Sequence, residues 1–237
     1  MVKKIAIIPA RGGSKRLPNK NIIDFMGKPM ISWTIEAARQ SKLFDKIIVS
    51  TDSIEIKRIS EGFGAEVPFL REKTADDYSS ASQATLEALE QSENYYSEKF
   101  NHVIQLMPNC PIRNFENIIE QYNCFLLNGQ NTSLISGFSY GMFNPFWAHL
   151  INDDGTTEKL FGNKFDGFRS QDLPKLLCPT GAIWISTREN LINEQTFYSN
   201  NYKLFEIAWQ KAIDIDDISD LNLANVVYNL ENKLERK

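Results

Sequence analysis

Two short stretches carry residue types and spacings suited to chemistry. The first, IIPARGGSKRLPNKN (7–21), leaves an apolar run through two glycines and then delivers Arg11, Lys15, Arg16 and Lys20 within one loop. Gly12 and Gly13 permit backbone conformations closed to other residues and let N–H groups approach an anion. Arg11 forks onto phosphate oxygens, and Lys15 and Lys20 add point charges. Loop and cations together suit a nucleoside triphosphate, the plainer alternative being a glycine turn with solvated lysines. GxxxxGK[ST] and GxGxxG are both missing from the sequence, so neither a P-loop nor a dinucleotide site is supported.

The second stretch, AIDIDD (212–217), alternates in the manner of a strand. That would point Asp214 and Asp216 to one face and Ile213 and Ile215 to the other. Two carboxylates on one face suit a hard cation such as Mg2+, which takes one or two carboxylates plus phosphates and waters. Asp216 or Asp217 would equally serve as a helix cap. The residues alone leave both roles open. Asp217 and Asp220 are expected to cap, as is Ser or Asp in STD (50–52).

The elements that must position these stretches alternate along the chain. KKIAIIP (3–9), DKIIVSTD (45–52), AEVPFL (65–70), HVIQLM (102–107), TSLISGF (132–138), GAIWIS (181–186) and KAIDID (211–216) read as strands. Helical patterns occupy 29–44, 53–64, 80–96, 115–127 and 219–234. Such alternation predicts one α/β domain over 1–237, with a mostly parallel sheet covered on both faces. Ligands in such sheets sit beyond the C-terminal strand ends, where the loop after the first strand lies. Residues 139–178 break the pattern with Gly, Asn, Asp, Phe and Trp, and read as an inserted lobe.

The bulk properties bound the function. The net charge is −4 over 237 residues, which argues against general nucleic-acid binding. The three cysteines and two histidines show no metal-ligand spacing. Reduced thiols, no signal-peptide pattern and no run long enough to cross a bilayer predict a cytoplasmic protein without membrane contact. His102 and His149 lie in apolar runs and read as structural; Trp33 and Trp209 read as core or interface. YSSAS (78–82) offers hydroxyls or a helix cap.

In order along nearly the whole chain, IIPARGGSKRLPNKN, GKPMISWTIEAA, KIIVSTD, GAEVPFLR, PNCPIR, FRSQDLP, PTGAIWI and IDIDDISDL resemble the acylneuraminate cytidylyltransferases, the CMP-sialic acid synthetases and their bacterial relatives. The resemblance implies a Rossmann-like nucleotidyltransferase fold in which the anomeric hydroxyl of a nine-carbon 2-keto sugar acid attacks the α-phosphate of CTP and pyrophosphate leaves. It implies Arg11, Lys15 and Lys20 as catalytic cations, and Asp214 and Asp216 as an Mg2+-binding catalytic pair. Ala10, Arg11, Gly12, Gly13, Ser14, Lys15, Asn21 and Arg71 would contact CTP, and Met107 and Arg169 the sugar acid, with Arg169 on its carboxylate. It further implies a homodimer in which the lobe reaches toward the partner's site and covers the sugar. Where many sialic-acid members read LLQPTSPLR, this chain reads QLMPNCPIR. Met107 replaces a glutamine, which points to a legionaminate- or pseudaminate-type sugar rather than N-acetylneuraminate. The rival expectations are the same chemistry on 3-deoxy-manno-octulosonate and a non-catalytic nucleotide- or sugar-binding regulator.

Overall fold

Lys4–Pro9 (β1) is apolar without alternation, and every residue after Lys4 is buried, as a strand covered on both faces requires. The computed structural model describes residues 2–72, 74, 80–128 and 131–235. Its main sheet adds Lys46–Ser50 (β2), His102–Gln105 (β3), Leu134–Ser139 (β4), Leu177–Thr187 (β5) and Lys203–Glu206 (β6), in the order β6-β4-β5-β3-β1-β2. β1 pairs parallel with both β2 and β3, and β6 with β4; β5 runs antiparallel to its neighbours β3 and β4. The mostly parallel α/β sheet expected from the sequence is therefore present, with one reversed strand at its centre.

Helices clothe both faces. Met30–Ser41 (α1) and Phe115–Leu127 (α4) lay Ile31, Ile35, Ile118 and Phe125 against Ile8, Ile104 and Ile183. On the opposite face, Ala81–Tyr96 (α3) contributes Ala88 and Leu89, and Arg188–Glu194 (α5) contributes Leu191, against Ile5, Ile7 and Val103. Ile54–Gly62 (α2) and Ile218–Glu235 (α6) complete the set. A third cluster joins the cationic loop to the acidic stretch. Leu17 from the loop and Ile215 from between the acids share it with Phe25, Met30, Leu221 and Ala224. The burial of these apolar neighbours, worth about 1.5–3 kcal/mol for a full side chain, draws the two stretches together across nearly the whole sequence.

Two expected strands are corrected. AEVPFL (65–70) makes one isolated bridge, Ile48 to Glu66; Pro68 has no N–H to continue a ladder. KAIDID (211–216) is a 3-10 turn over Trp209–Ala212 followed by an irregular loop outside the sheet. Its alternation survives without a ladder, because Ile215 is buried and its N–H reaches Asn109 O at 2.9 Å. α5 and β6, unforeseen from the sequence, complete the second half.

The lobe leaves β4 and re-enters at β5, where Ser139 and Leu177 are register partners. It holds a short hairpin, His149–Ile151 with Thr157–Lys159, and a chain of ring contacts through Phe146, Phe161, Phe165 and Phe168. Met142, Phe143 and Ile151 are 81%, 79% and 79% exposed. Among the described residues, no helix is long and apolar enough to cross a membrane.

Candidate functional site

The loop after β1 is shaped before anything binds. Gly12 N–H donates to Asp52 Oδ1 at 2.7 Å, and a Cβ on Gly12 would lie 3.1 Å from Ser53 Cβ. A larger residue there would push the loop off the start of α2. The cap of α2 is Ser53, whose Oγ accepts from Ile56 N at 3.3 Å, so STD does not supply it; Asp52 ties down the glycine loop instead. Buried Asn21 donates through Nδ2 to Arg11 O at 2.9 Å, closing the loop's other side. Ala10 is buried at the root of the loop and donates its N–H to Ser50 O at 2.8 Å.

A cavity of about 410 Å³ opens at these strand ends, and Arg11, Ser14, Lys15, Lys20, Asn21, Arg71 and Met107 all line it. Gly12 and Gly13 do not line the cavity and, against expectation, neither is among the glycines with positive φ; a Cβ on Gly13 would meet nothing within 4 Å, so only Gly12 is held to its size by a neighbour. The cavity's far wall is the first turn of α3, Ser80 and Ala81. Ser80 caps that helix in a reciprocal box with Gln83. The N-terminus of a helix carries partial positive charge and suits phosphate. Of the YSSAS hydroxyls, Ser80 is thus a cap, and Ser82 is buried and accepts from Phe197 N at 3.3 Å; Tyr78 and Ser79 lie outside the described residues.

The acidic stretch meets the loop from below. Asp216 accepts from Lys20 Nζ at 2.8 Å and from Arg16 Nη2 at 2.5 Å. Asn109 Nδ2 donates to Asp214 Oδ1, to Ile215 O at 3.0 Å and to Asp216 Oδ1 at 3.4 Å. One nitrogen thus touches both carboxylates, which places them on a common side as the alternation predicts. Asp217 Oδ1 accepts from Ser219 N and Asp220 N, and Asp220 Oδ2 from Asp216 N and Asp217 N. Capping therefore falls to Asp217 and Asp220, as expected, and leaves Asp214 and Asp216 for other work.

The pair is electrostatically split. Asp214 reaches solvent at the cleft edge, yet the protein walls around it, and next the Asp216 charge, raise its pKa to about 6 against the pull of Lys20. For Asp216 partial burial raises the pKa, but the hydrogen bonds and charges of Lys20 and Arg16 outweigh it and leave the pKa lowered. Among the described residues no group of three or more His, Cys, Asp or Glu side chains is arranged to hold a metal ion. Two carboxylates beside a triphosphate-sized cavity, with the buried Asn109 Oδ1 lacking a hydrogen-bond partner, fit a hard cation that completes its shell with phosphates and waters. Gly181 makes room here too: a Cβ on it would come 2.7 Å from Met107 Cγ and 3.5 Å from Asp214 Oδ2.

Of the predicted site residues, Ala10, Gly12, Gly13, Asp214 and Asp216 do not line the cavity but adjoin or bond to residues that do, whereas Arg169 lies away from it. It stands on the exposed lobe, paired with Asp172 at 2.9 Å, and is not among the cavity's lining residues. His102 is buried against the Tyr122 hydroxyl at 2.9 Å, whereas His149 is exposed and contacts Trp147 O. Trp33 packs edge-on with Phe25 and Tyr228; Trp209 is half exposed. Arg16 and Asn109 are site residues that the sequence did not single out. Arg16 was visible among the loop's cations, and Asn109 stands two residues beyond Met107 in QLMPNCPIR.

Residues 5–127 match the family model for cytidylyltransferases. Pseudaminic acid cytidylyltransferase of Campylobacter jejuni subsp. jejuni is 35% identical to this chain over 237 residues, covering 98% of it and 99% of the relative. CMP-N,N'-diacetyllegionaminic acid synthase of Legionella pneumophila subsp. pneumophila is 34% identical over 230 residues, covering 95% and 96%. Among solved structures, CMP:2-keto-3-deoxy-manno-octonic acid synthetase complexed with CTP superposes with a TM-score of 0.71 at 20% identity, over 97% of this chain and 99% of that one. That likeness is one of fold.

Proposed function

The chain belongs to the cytidylyltransferase family, and on that premise we propose that it transfers CMP from CTP to the anomeric hydroxyl of a nine-carbon 2-keto sugar acid of the pseudaminate or legionaminate type, with release of pyrophosphate. One observation carries the reading. The cations of the 11–20 loop line one cavity, and three of its lining residues, Arg16, Lys20 and Asn109, bond to the acids of 214–216 that stand behind them.

The residues divide the work by position. Arg11 and Lys15 line the cavity with the α3 N-terminus, a cluster suited to the β- and γ-phosphates that gain charge as pyrophosphate departs. Asn21 and the Asp52 tether keep Gly12 and Arg11 in place, so the site does not have to reorganise when charge moves. Lys20, half-buried and held by Asp216, sits between the acids and the cavity, where a cation balances the α-phosphate. Asp214 and Asp216 are the residues that would hold Mg2+, whose chemistry is to neutralise phosphate charge and orient the attacking hydroxyl. Asp214 must then shed its proton, which a pKa near 6 permits at neutral pH.

Met107 supports the choice of sugar. It lines the cavity, donates no hydrogen bond and accepts only weakly, so it suits a deoxygenated, methyl-bearing sugar better than a polyhydroxylated one. The relatives of 35% and 34% identity carry pseudaminate and legionaminate names, in keeping with that choice. The exposed apolar lobe supports a homodimer, in which Arg169 would serve the partner's cavity and grip the sugar carboxylate. A soluble enzyme fed by CTP belongs in the cytoplasm. The test is pyrophosphate release with each nucleoside triphosphate against pseudaminate, legionaminate, N-acetylneuraminate and 3-deoxy-manno-octulosonate. CTP with one of the first two should give the highest kcat/KM, and Met107→Gln should shift preference toward N-acetylneuraminate by about tenfold or more. A wild type that favours either of the last two overturns the sugar reading.

A further inference from the structure

Asn109 is the neutral side chain at the centre of the acid pair, and its hydrogen bonding is lopsided. It is 2% exposed. Its Nδ2 serves the Asp214 and Asp216 carboxylates and Ile215 O. Its Oδ1 is buried with no partner. An asparagine carries donors at one end of its amide and an acceptor with two lone pairs at the other; here one end is fully engaged and the other idle, and an idle buried acceptor asks for an explanation. The three oxygens gathered round Nδ2, two from carboxylates and one from a backbone carbonyl, are the kind a hard divalent cation gathers.

We propose that Asn109 is a placeholder for the divalent cation of this site and becomes one of its oxygen ligands when the cation arrives. The inference rests on the reading that Asp214 and Asp216 hold that cation. Without the cation, the amide N–H supplies the positive end of a dipole between two carboxylates. Turning the amide by half a turn about Cβ–Cγ would then set Oδ1 against carboxylate oxygens, and repulsion forbids it. With a dication between them the preference reverses: the N–H is repelled, and Oδ1 gains the partner it now lacks. Amide orientation and cation occupancy are therefore coupled. The residue also links the pair beforehand, because one nitrogen reaches both carboxylates while Lys20 and Arg16 hold Asp216 from the other side. Threonine stands at this place in LLQPTSPLR, and its short side chain bears no carboxamide to turn, so the device belongs to the QLMPNCPIR form.

The experiment titrates Mn2+ into the full apo chain and reads free Mn2+ by electron paramagnetic resonance. Asp214→Asn and Asp216→Asn should each weaken binding at least tenfold. Asn109→Leu, close in volume but without the oxygen, should weaken it about tenfold as well, with near-UV circular dichroism checking that the chain is folded. If the aspartate variants and wild type bind alike, or wild type binds no Mn2+, the acid-pair reading fails and takes this inference with it. If the aspartate variants lose binding while Asn109→Leu keeps or gains it, only the role of Asn109 is overturned. A second measurement needs no substitution. In wild type with 15N-asparagine, the Asn109 side-chain amide signal should shift and exchange with water about tenfold faster on saturation with Mg2+. A signal that stays in place overturns the rotation.

Discussion

Glu93 and Asp214 are carboxylates held in opposite regimes. Glu93, in the last turn of α3, is 5% exposed and accepts from two Arg188 nitrogens at 2.6 and 2.9 Å, from Lys99 at 2.8 Å and from the Phe100 N–H at 3.2 Å. Burial alone would raise its pKa, yet these partners bring it below the usual value. Asp214 touches solvent, and its pKa is nevertheless raised to about 6, by the enclosing protein first and the Asp216 charge second. The wetter acid is the weaker one. What separates the two carboxylates is how completely the fold has supplied their partners, not how deeply they lie. Asp214 has been left with one neutral donor and a like-charged neighbour, the state in which a cation has most to offer.

The contrast breaks most sharply in turnover. Asp214→Asn or Asp216→Asn should lower kcat/KM by about a thousandfold or more, since each removes charge from the site where phosphate charge must be balanced; initial-rate pyrophosphate release reads it. Glu93→Gln should leave the kcat of the folded fraction alone and cost about 3 kcal/mol in urea denaturation, because it strands Arg188 in a partly buried site. If Glu93→Gln instead damaged kcat with stability intact, the division between the two regions would collapse. Gly181→Ala should come next. Its new methyl would collide with Met107, costing about 1–3 kcal/mol by overpacking and raising the KM for the sugar acid more than that for CTP.

The smallest effect sharpens the comparison by its sign. Asp214 has a folded pKa above its unfolded one, so the native state pays for its charge above pH 6 and is relieved as pH falls toward 4. Glu93 has a lowered folded pKa, so its contribution is present above its unfolded pKa, about 4.3, and fades below it. Asp214→Asn should therefore stabilise the apo chain by up to about 1 kcal/mol at pH 7.5, a figure discounted for solvent screening. The gain should vanish near pH 4. Urea midpoints across pH 4–8 check both signs.

The first half of the fold and the cavity's cationic rim were legible because they rest on local signals. Apolar runs such as IAII and the serine run before α3 announce their elements directly, and Phe115–Leu127 falls on its expected bounds. What was hidden depends on contacts distant in sequence. Nothing in GAIWIS says that its strand runs against the others, since a buried strand shows the same apolar pattern in either direction. AIDIDD reads as a strand because alternation records which side is buried, not whether a ladder exists. Asn109 went unseen because a lone asparagine near a proline resembles a turn residue, and its meaning comes from Asp214 and Asp216, more than a hundred positions away. Arg169 was placed by resemblance alone, and one copy of the chain holds it apart from the cavity.

The base of the lobe has an evolutionary corollary. Because Ser139 and Leu177 sit opposite each other on adjacent strands, everything between them hangs from a clasp that the sheet already closes. The entropy of closing such an excursion grows only as the logarithm of its length, about 0.6 kcal/mol per doubling. Natural variation, or an engineer, can therefore lengthen, shorten or transplant this segment without renegotiating the sheet. A lineage can exchange its accessory module, and with it the company the protein keeps, while the catalytic chassis stays unchanged.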